Sequence, residues 1–160
     1  MKKVTLFLSF VMTLFLVGCS SSSGLSDFTK DFNENARKYN VPELVEKEFG
    51  EVEDDENMSW QTLFESQKYD IDAKYKDGKT VSGHRVAIKD IENFVGKDGS
   101  AYDATLTIVD TLGLDPKKLD EELRKMLNKD NDGYVDNGYK VSLFLNNVTD
   151  TLIYINIDKE

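Results

Sequence analysis

Tyr69-Asp70-Ile71-Asp72-Ala73-Lys74-Tyr75 alternates in polarity with a period of two, as a strand does when one face is buried and the other wet. Asp77-Gly78 follows almost at once. Glycine tolerates the positive φ that a two-residue type I′ turn requires, so the chain is expected to fold back into a second strand from Val81 to Ile88. Folding about that turn predicts Asp70 opposite Arg85 and Ile71 opposite His84. His84 then shares an apolar face with Ile71, Val86 and Ile88.

The elements that would cover this face are also legible. Ser26-Asp27 can cap a helix that carries Phe28, Phe32, Ala36 and Tyr39 on one stripe. Pro42 stands where a short second helix would begin, with Glu43 in its first turn and Gly50 at its end. Glu51 to Glu56 reads as a solvated acidic loop. Further on, Ser100 precedes a stripe of Tyr102, Leu106, Val109 and Leu112 closed by Gly113. That segment also alternates as a strand would; helix is the favoured reading. Asp115-Pro116 opens another helix, with Leu119, Leu123, Met126 and Leu127 inward. Asp120 with Arg124 and Glu121 with Lys125 would support its outer side.

Two strands, Tyr139 to Leu145 and Thr151 to Ile157, close the chain around Asn146-Asn147. Both halves thus run helix, proline-started helix, strand, strand, and Pro42 and Pro116 occupy matching places. The expected class is α+β, with helices packed on one face of an antiparallel sheet in two αα-ββ repeats. Cystatin-like and β-lactamase-inhibitor-like small domains are similar in style, a likeness of fold that carries no function.

Ahead of this domain, Lys2 and Lys3 precede an apolar run from Val4 to Val17 broken only by Thr5, Ser9 and Thr13. A spanning helix needs roughly 20 apolar residues. The shorter run, with its charged start and small-residue end, describes a cleaved signal peptide over residues 1–18. Cys19, the one cysteine of the chain, comes next, followed by four serines and Gly24. Leu16-Val17-Gly18-Cys19 resembles the lipobox of bacterial lipoproteins. The resemblance implies that the Cys19 sulfur receives a diacylglyceryl group and that cleavage leaves this residue as the lipidated N-terminus. Two or more acyl chains make such an anchor durable where one is marginal. Residues 19–24 would then form the lipidated tether and residues 25–160 one exported domain. The expected location is the cell membrane, facing outside the cytoplasm. Three arginines among twenty basic residues point to a low-GC Gram-positive source.

Without Lys2 and Lys3 the basic residues number 18 against 30 acidic, a net charge of −12. Nucleic acid is disfavoured as a partner, because phosphate binding needs a basic footprint. Lipidation would consume the sole thiol, so disulfide and thiol chemistry are expected to play no part. The sequence carries no GxSxG elbow, Walker loop, HExxH or CxxC pair.

The segment from Asn128 to Tyr139 is more specific. It resembles an EF-hand calcium loop, with Asn128, Asp130, Asp132 and Asp136 at oxygen-ligand spacing, Tyr134 between them, and Gly133 at the sharp turn. Calcium takes six to eight oxygens, which gives this spacing a chemical reason. The resemblance implies calcium as a ligand. Asn128 supplies no charge, however, and Tyr139 stands where a bidentate glutamate belongs. The same residues also favour a plain turn leading into a strand.

The leading expectation is a non-enzymatic, membrane-anchored binding module. Its partners would be the membrane, through the lipid on Cys19, and an envelope or extracellular protein, with charge complementarity favouring a basic one. An envelope hydrolase, or an accessory to one, using an acid pair is the alternative, and a calcium-dependent binding domain is another. A third reading treats Phe10 to Gly18 as the source of a released peptide signal. The lipid assignment has a direct test: Cys19→Ser should abolish incorporation of radioactive palmitate, and persistent labelling would refute it.

Overall fold

Hydrogen bonds close to home settle where the helices begin and end. The computed structural model describes residues 23–55, 58–89, 94, 99–128, 132–145 and 153–160. Helix α1 spans Ser23–Ala36 and buries Phe28, Phe32 and Ala36 at i,i+4 spacing. It starts three residues before the expected cap, so Ser23 and Gly24 belong to the helix rather than to the tether, and Ser26 and Asp27 lie within it. Pro42 does not open a second helix. Asn33 of α1 donates to the Leu44 carbonyl at 2.9 Å and accepts from the Leu44 N–H at 2.7 Å. Those two bonds satisfy the backbone in an extended path, and only a 3-10 turn at Glu46–Glu48 follows.

Helix α2, Ala101–Thr111, confirms the helical reading of its segment. Ser100 caps it reciprocally with Asp103, so both side chains satisfy backbone donors of the first turn. Gly113 then takes φ 70°, which suits glycine beyond a helix end. Helix α3, Pro116–Leu127, has Asp115 as its cap and Pro116 in the first turn. Leu119, Leu123 and Met126 are buried, whereas Leu127, expected inward, is 39% exposed. Arg124 meets Asp120 at 3.4 Å as expected; Lys125 pairs with Glu122 at 2.6 Å, one residue nearer than the expected Glu121.

Among the described residues, seven strands form a single antiparallel sheet. They are β1 (Val52–Asp55), β2 (Met58–Phe64), β3 (Tyr69–Lys76), β4 (Thr80–Ile88), β5 (Tyr134–Asp136), β6 (Tyr139–Leu145) and β7 (Ile153–Lys159). Their order across the sheet is β1-β2-β3-β4-β7-β6-β5. The class is α+β, with the helices against one face. Each half contributes more strands than the two expected: four come from the first and three from the second. The two meanders meet through their last strands, β4 and β7. The acidic segment expected as a loop supplies β1. Gly50 N–H donates to the Thr62 carbonyl at 2.8 Å and Gln61 Nε2 to the Gly50 carbonyl at 2.9 Å, which lays the segment alongside β2. Glu53 and Asp54 there are exposed, where water and salt screen their repulsion.

The β3–β4 hairpin forms at the expected turn but pairs two residues out of the expected register. Asp77 and Gly78 take φ 56° and 63°, and Lys79 N–H donates to the Lys76 carbonyl at 3.2 Å. Pairing resumes with Lys76 opposite Thr80, and a bulge at Lys74/Tyr75 shifts it once more. Asp72 therefore stands opposite Arg85, and Ala73 opposite His84. A shift of two leaves every side chain on its own face, because the strand repeat is two.

On the helix-covered face Ile71, Val86, Ile88, Val141, Ile153, Ile155 and Ile157 are buried beneath Phe28, Phe32, Ala104 and Ile108. His84 lies among them, stacked on the Phe28 ring at 3.9 Å with neither ring nitrogen hydrogen-bonded among the described residues. Burial depresses its pKa from 6.5 to about 3. An unfolded chain would therefore take up a proton between these values that the folded one refuses. Stability should be complete above pH 6.5 and decline as pH falls toward 3, by about 2 kcal/mol at pH 5 from this residue. Urea denaturation at pH 7 and pH 5 should show that His84→Leu removes this part of the decline; equal declines in both proteins would refute it.

Candidate functional site

No described element covers the other face of the sheet, and its surface follows directly from the strand register. One row runs Glu53, Trp60, Lys74, Gly83, Asp158, Lys140 and Val135, crossing all seven strands. A second runs Thr62, Asp72, Arg85, Asn156 and Ser142. A third runs Asp70, Ala87, Tyr154 and Phe144.

Arg85 ties the three rows together. Its guanidinium lies 4.0 Å from the Trp60 ring centre and 5.0 Å from that of Tyr154. Its Nε and Nη2 stand 2.9 and 2.8 Å from one oxygen of Asp72, while Thr62 Oγ1 donates to the other at 3.0 Å. Asp72 is only 4% exposed, and that burial lifts its carboxyl pKa above the ordinary value despite the lowering effects of Arg85 and Thr62. The cation is therefore held by a buried acid from one side and by aromatic rings on others. Phe144 extends the surface, 6.3 Å from Tyr154 and 59% exposed.

A second bridge fixes the neighbouring row. Lys74 of β3 reaches Asp158 of β7 at 2.7 Å, across the intervening strand β4. It crosses at Gly83, where a Cβ would sit 2.7 Å from the Asp158 carboxylate and 2.7 Å from the Ile157 carbonyl. Glycine is required there by crowding rather than by backbone angle. Beside this network lies a cleft of about 460 Å³ lined by Glu53, Asp54, Trp60, Thr62, Asp72 and Arg85. Asp54 in turn accepts from Ser59 Oγ at 2.5 Å. A larger groove of about 680 Å³ opens on the helix-covered side, lined by Leu25, Phe49, Val52, Gln61, Tyr75 and Lys79 among others.

The residues expected to carry function fall elsewhere. Cys19 and Asp130 lie outside the described residues. Asn128 caps the C-terminus of α3, and Asp132 is exposed beyond it. Tyr134 is buried in β5, with its hydroxyl unpartnered among the described residues and its pKa raised, chiefly by burial. Asp136 accepts from Asp115 N–H at 2.8 Å and faces Lys118 at 3.6 Å. Among the described residues no group of three or more His, Cys, Asp or Glu is placed to hold a metal ion. Among the aromatics, Tyr69, Tyr75, Phe94 and Tyr134 are core, while Trp60 reaches the open face.

Arg85, Tyr154 and Phe144 carried no motif. Alternation within β4, β6 and β7 puts each on the face opposite the apolar residues, a signal that becomes useful once the strands are ordered. No protein-family model, no curated protein and no solved structure matches the chain. Among the described residues no helix is long and apolar enough to cross a membrane.

The Arg85–Asp72 pair generates a double-mutant prediction. Arg85→Leu should destabilise the fold by roughly 2–4 kcal/mol, because it strands a buried carboxylate. Adding Asp72→Asn should recover most of that loss in urea denaturation. Additive losses would show that the two side chains do not act as a pair.

Proposed function

We propose that this chain is a lipid-anchored, extracytoplasmic binding module that holds a partner in the cell envelope on the open face of its sheet. The observation that carries this reading is the platform Trp60–Arg85–Tyr154–Phe144, on a sheet face that no described element covers, with its central cation fixed from several sides. Half-buried and exposed aromatic and arginine side chains in one patch are what protein interfaces concentrate. Fixing Arg85 in advance lowers the entropy lost when a partner docks. The acidic balance of the chain favours a partner with a basic surface. Cys19 lies four positions before the first residue of α1, a reach of at most about 14 Å. A lipid on that cysteine would therefore keep the domain close to the membrane surface.

A photo-crosslinking side chain placed at Phe144 in living cells tests this. It should give an adduct of defined mass that Trp60→Ala removes, while the same probe at exposed Lys117, on α3, gives none. Equal yields at the two positions would count against the platform.

A further inference from the structure

The two edges of the sheet are finished differently. At β5 the Val135 carbonyl accepts from Lys118 Nζ at 2.8 Å, and the same ammonium stands 3.6 Å from Asp136. Asp136 is itself tied to the start of α3 through the Asp115 N–H. A lysine or a covering helix at an edge is how a sheet refuses a further strand. At β1 nothing comparable is present among the described residues. Its ladder runs to β2, and the Asp54 carboxylate bonds to Ser59, which is also on β2. A strand paired on one side turns the N–H and C=O groups of alternate residues outward.

Two concavities of the surface flank this edge, one on each face. Val52, 43% exposed, lines the 680 Å³ groove with Leu25 and Phe49. Glu53 lines the 460 Å³ cleft with Trp60. A segment laid beside β1 at the usual spacing of about 4.8 Å would send alternate side chains toward these two spaces. The charge states what the segment must be. Five of the six residues from Glu51 to Glu56 are acidic, and Glu51, Glu53 and Asp54 are exposed. A second copy presenting its own β1 would bring like charges into opposition. Acidic guards against self-pairing would account for the charge alone. They account neither for the concavity on each face nor for the contrast with the closed edge at β5.

We propose that β1 is the acceptor edge for an extended, lysine- or arginine-rich segment of a partner protein, which adds to the sheet as its next strand. Main-chain hydrogen bonds would supply the pairing and the acidic edge the selectivity. This goes beyond the open-face platform, which shares Trp60 and Arg85 with the cleft beside β1 but reaches to Phe144 on β6, with four strands between.

The test uses the full-length protein in nanodiscs of neutral phosphatidylcholine and a capped peptide of alternating lysine and valine. At low salt the peptide should bind and slow hydrogen exchange at residues 52–55. N-methylating alternate peptide nitrogens should weaken binding about tenfold, because it removes main-chain donors and leaves the charge. Glu51→Lys with Glu53→Lys should abolish binding of the lysine peptide and confer binding of the glutamate–valine counterpart, which also shows that the variant is folded. Failure of the peptide to protect β1 would overturn the proposal, as would equal affinity for the N-methylated form. Protection of β1 that grows with protein concentration in the absence of peptide would assign the edge to a second copy and overturn it too. Loss of the Phe144 crosslink with peptide binding intact would remove the platform and leave the edge standing.

Discussion

The antiparallel pairing of β4 with β7 makes one sheet out of two meanders, and both faces of the molecule depend on it. On the covered face it sets His84 opposite Ile157, Val86 opposite Ile155 and Ile88 opposite Ile153. All six are buried. Each isoleucine or valine removed from water there contributes on the order of 1.5–3 kcal/mol before entropy is counted. On the open face the same ladder sets Arg85 opposite Asn156 and Ala87 opposite Tyr154. The aromatic–cation cluster therefore exists only because residues from distant parts of the chain are held in this register.

The open face and the core solve opposite problems with the same strands. Beneath the helices the sheet holds apolar side chains and a histidine kept neutral by burial. Above, it holds charges, and the best buried of them are paired: Asp72 with Arg85, Lys74 with Asp158, Lys89 with Asp70. A broken pair of this kind costs more than an intact one contributes, since the remaining ion has lost its water. Such a surface is ordered before anything binds to it. That is a property a recognition surface uses, and it is the physical basis for reading the domain as a binding module.

Much of the architecture could be read locally. Ser100 with Asp103, Asp115 with Pro116, and Asp77-Gly78 each satisfy or direct backbone groups within a few residues, so their roles are visible in a short window. Where two non-neighbouring segments compete for the backbone, the window is too short. Pro42 looked like a helix start until Asn33 claimed both backbone groups of Leu44. Glu51 to Glu56 looked like a loop because charge repulsion is visible in sequence, while the β2 partner that holds Val52–Asp55 extended is not. The hairpin register failed for a related reason. The turn at Asp77-Gly78 was legible, but Lys79 joins it to make a three-residue connection, and the bulge at Lys74/Tyr75 is a property of the paired strands; each moves the pairing by one.

The candidate site divides along the same line. Taken alone, the sequence determined the lipobox resemblance at Cys19, the acidic balance, the α+β class and the polarity of the faces of β3 and β4, because all of these depend on composition or on periods of two and 3.6 residues. Tertiary structure decided that Trp60, Arg85, Tyr154 and Phe144 share one surface, that Gly83 lets Lys74 reach Asp158 across a strand, and that β5 is closed while no described residue closes β1. These are relations between strands far apart in the chain. Only the order and register of the strands bring them together, and hydrogen bonds between distant backbones leave no local mark in the residues that make them.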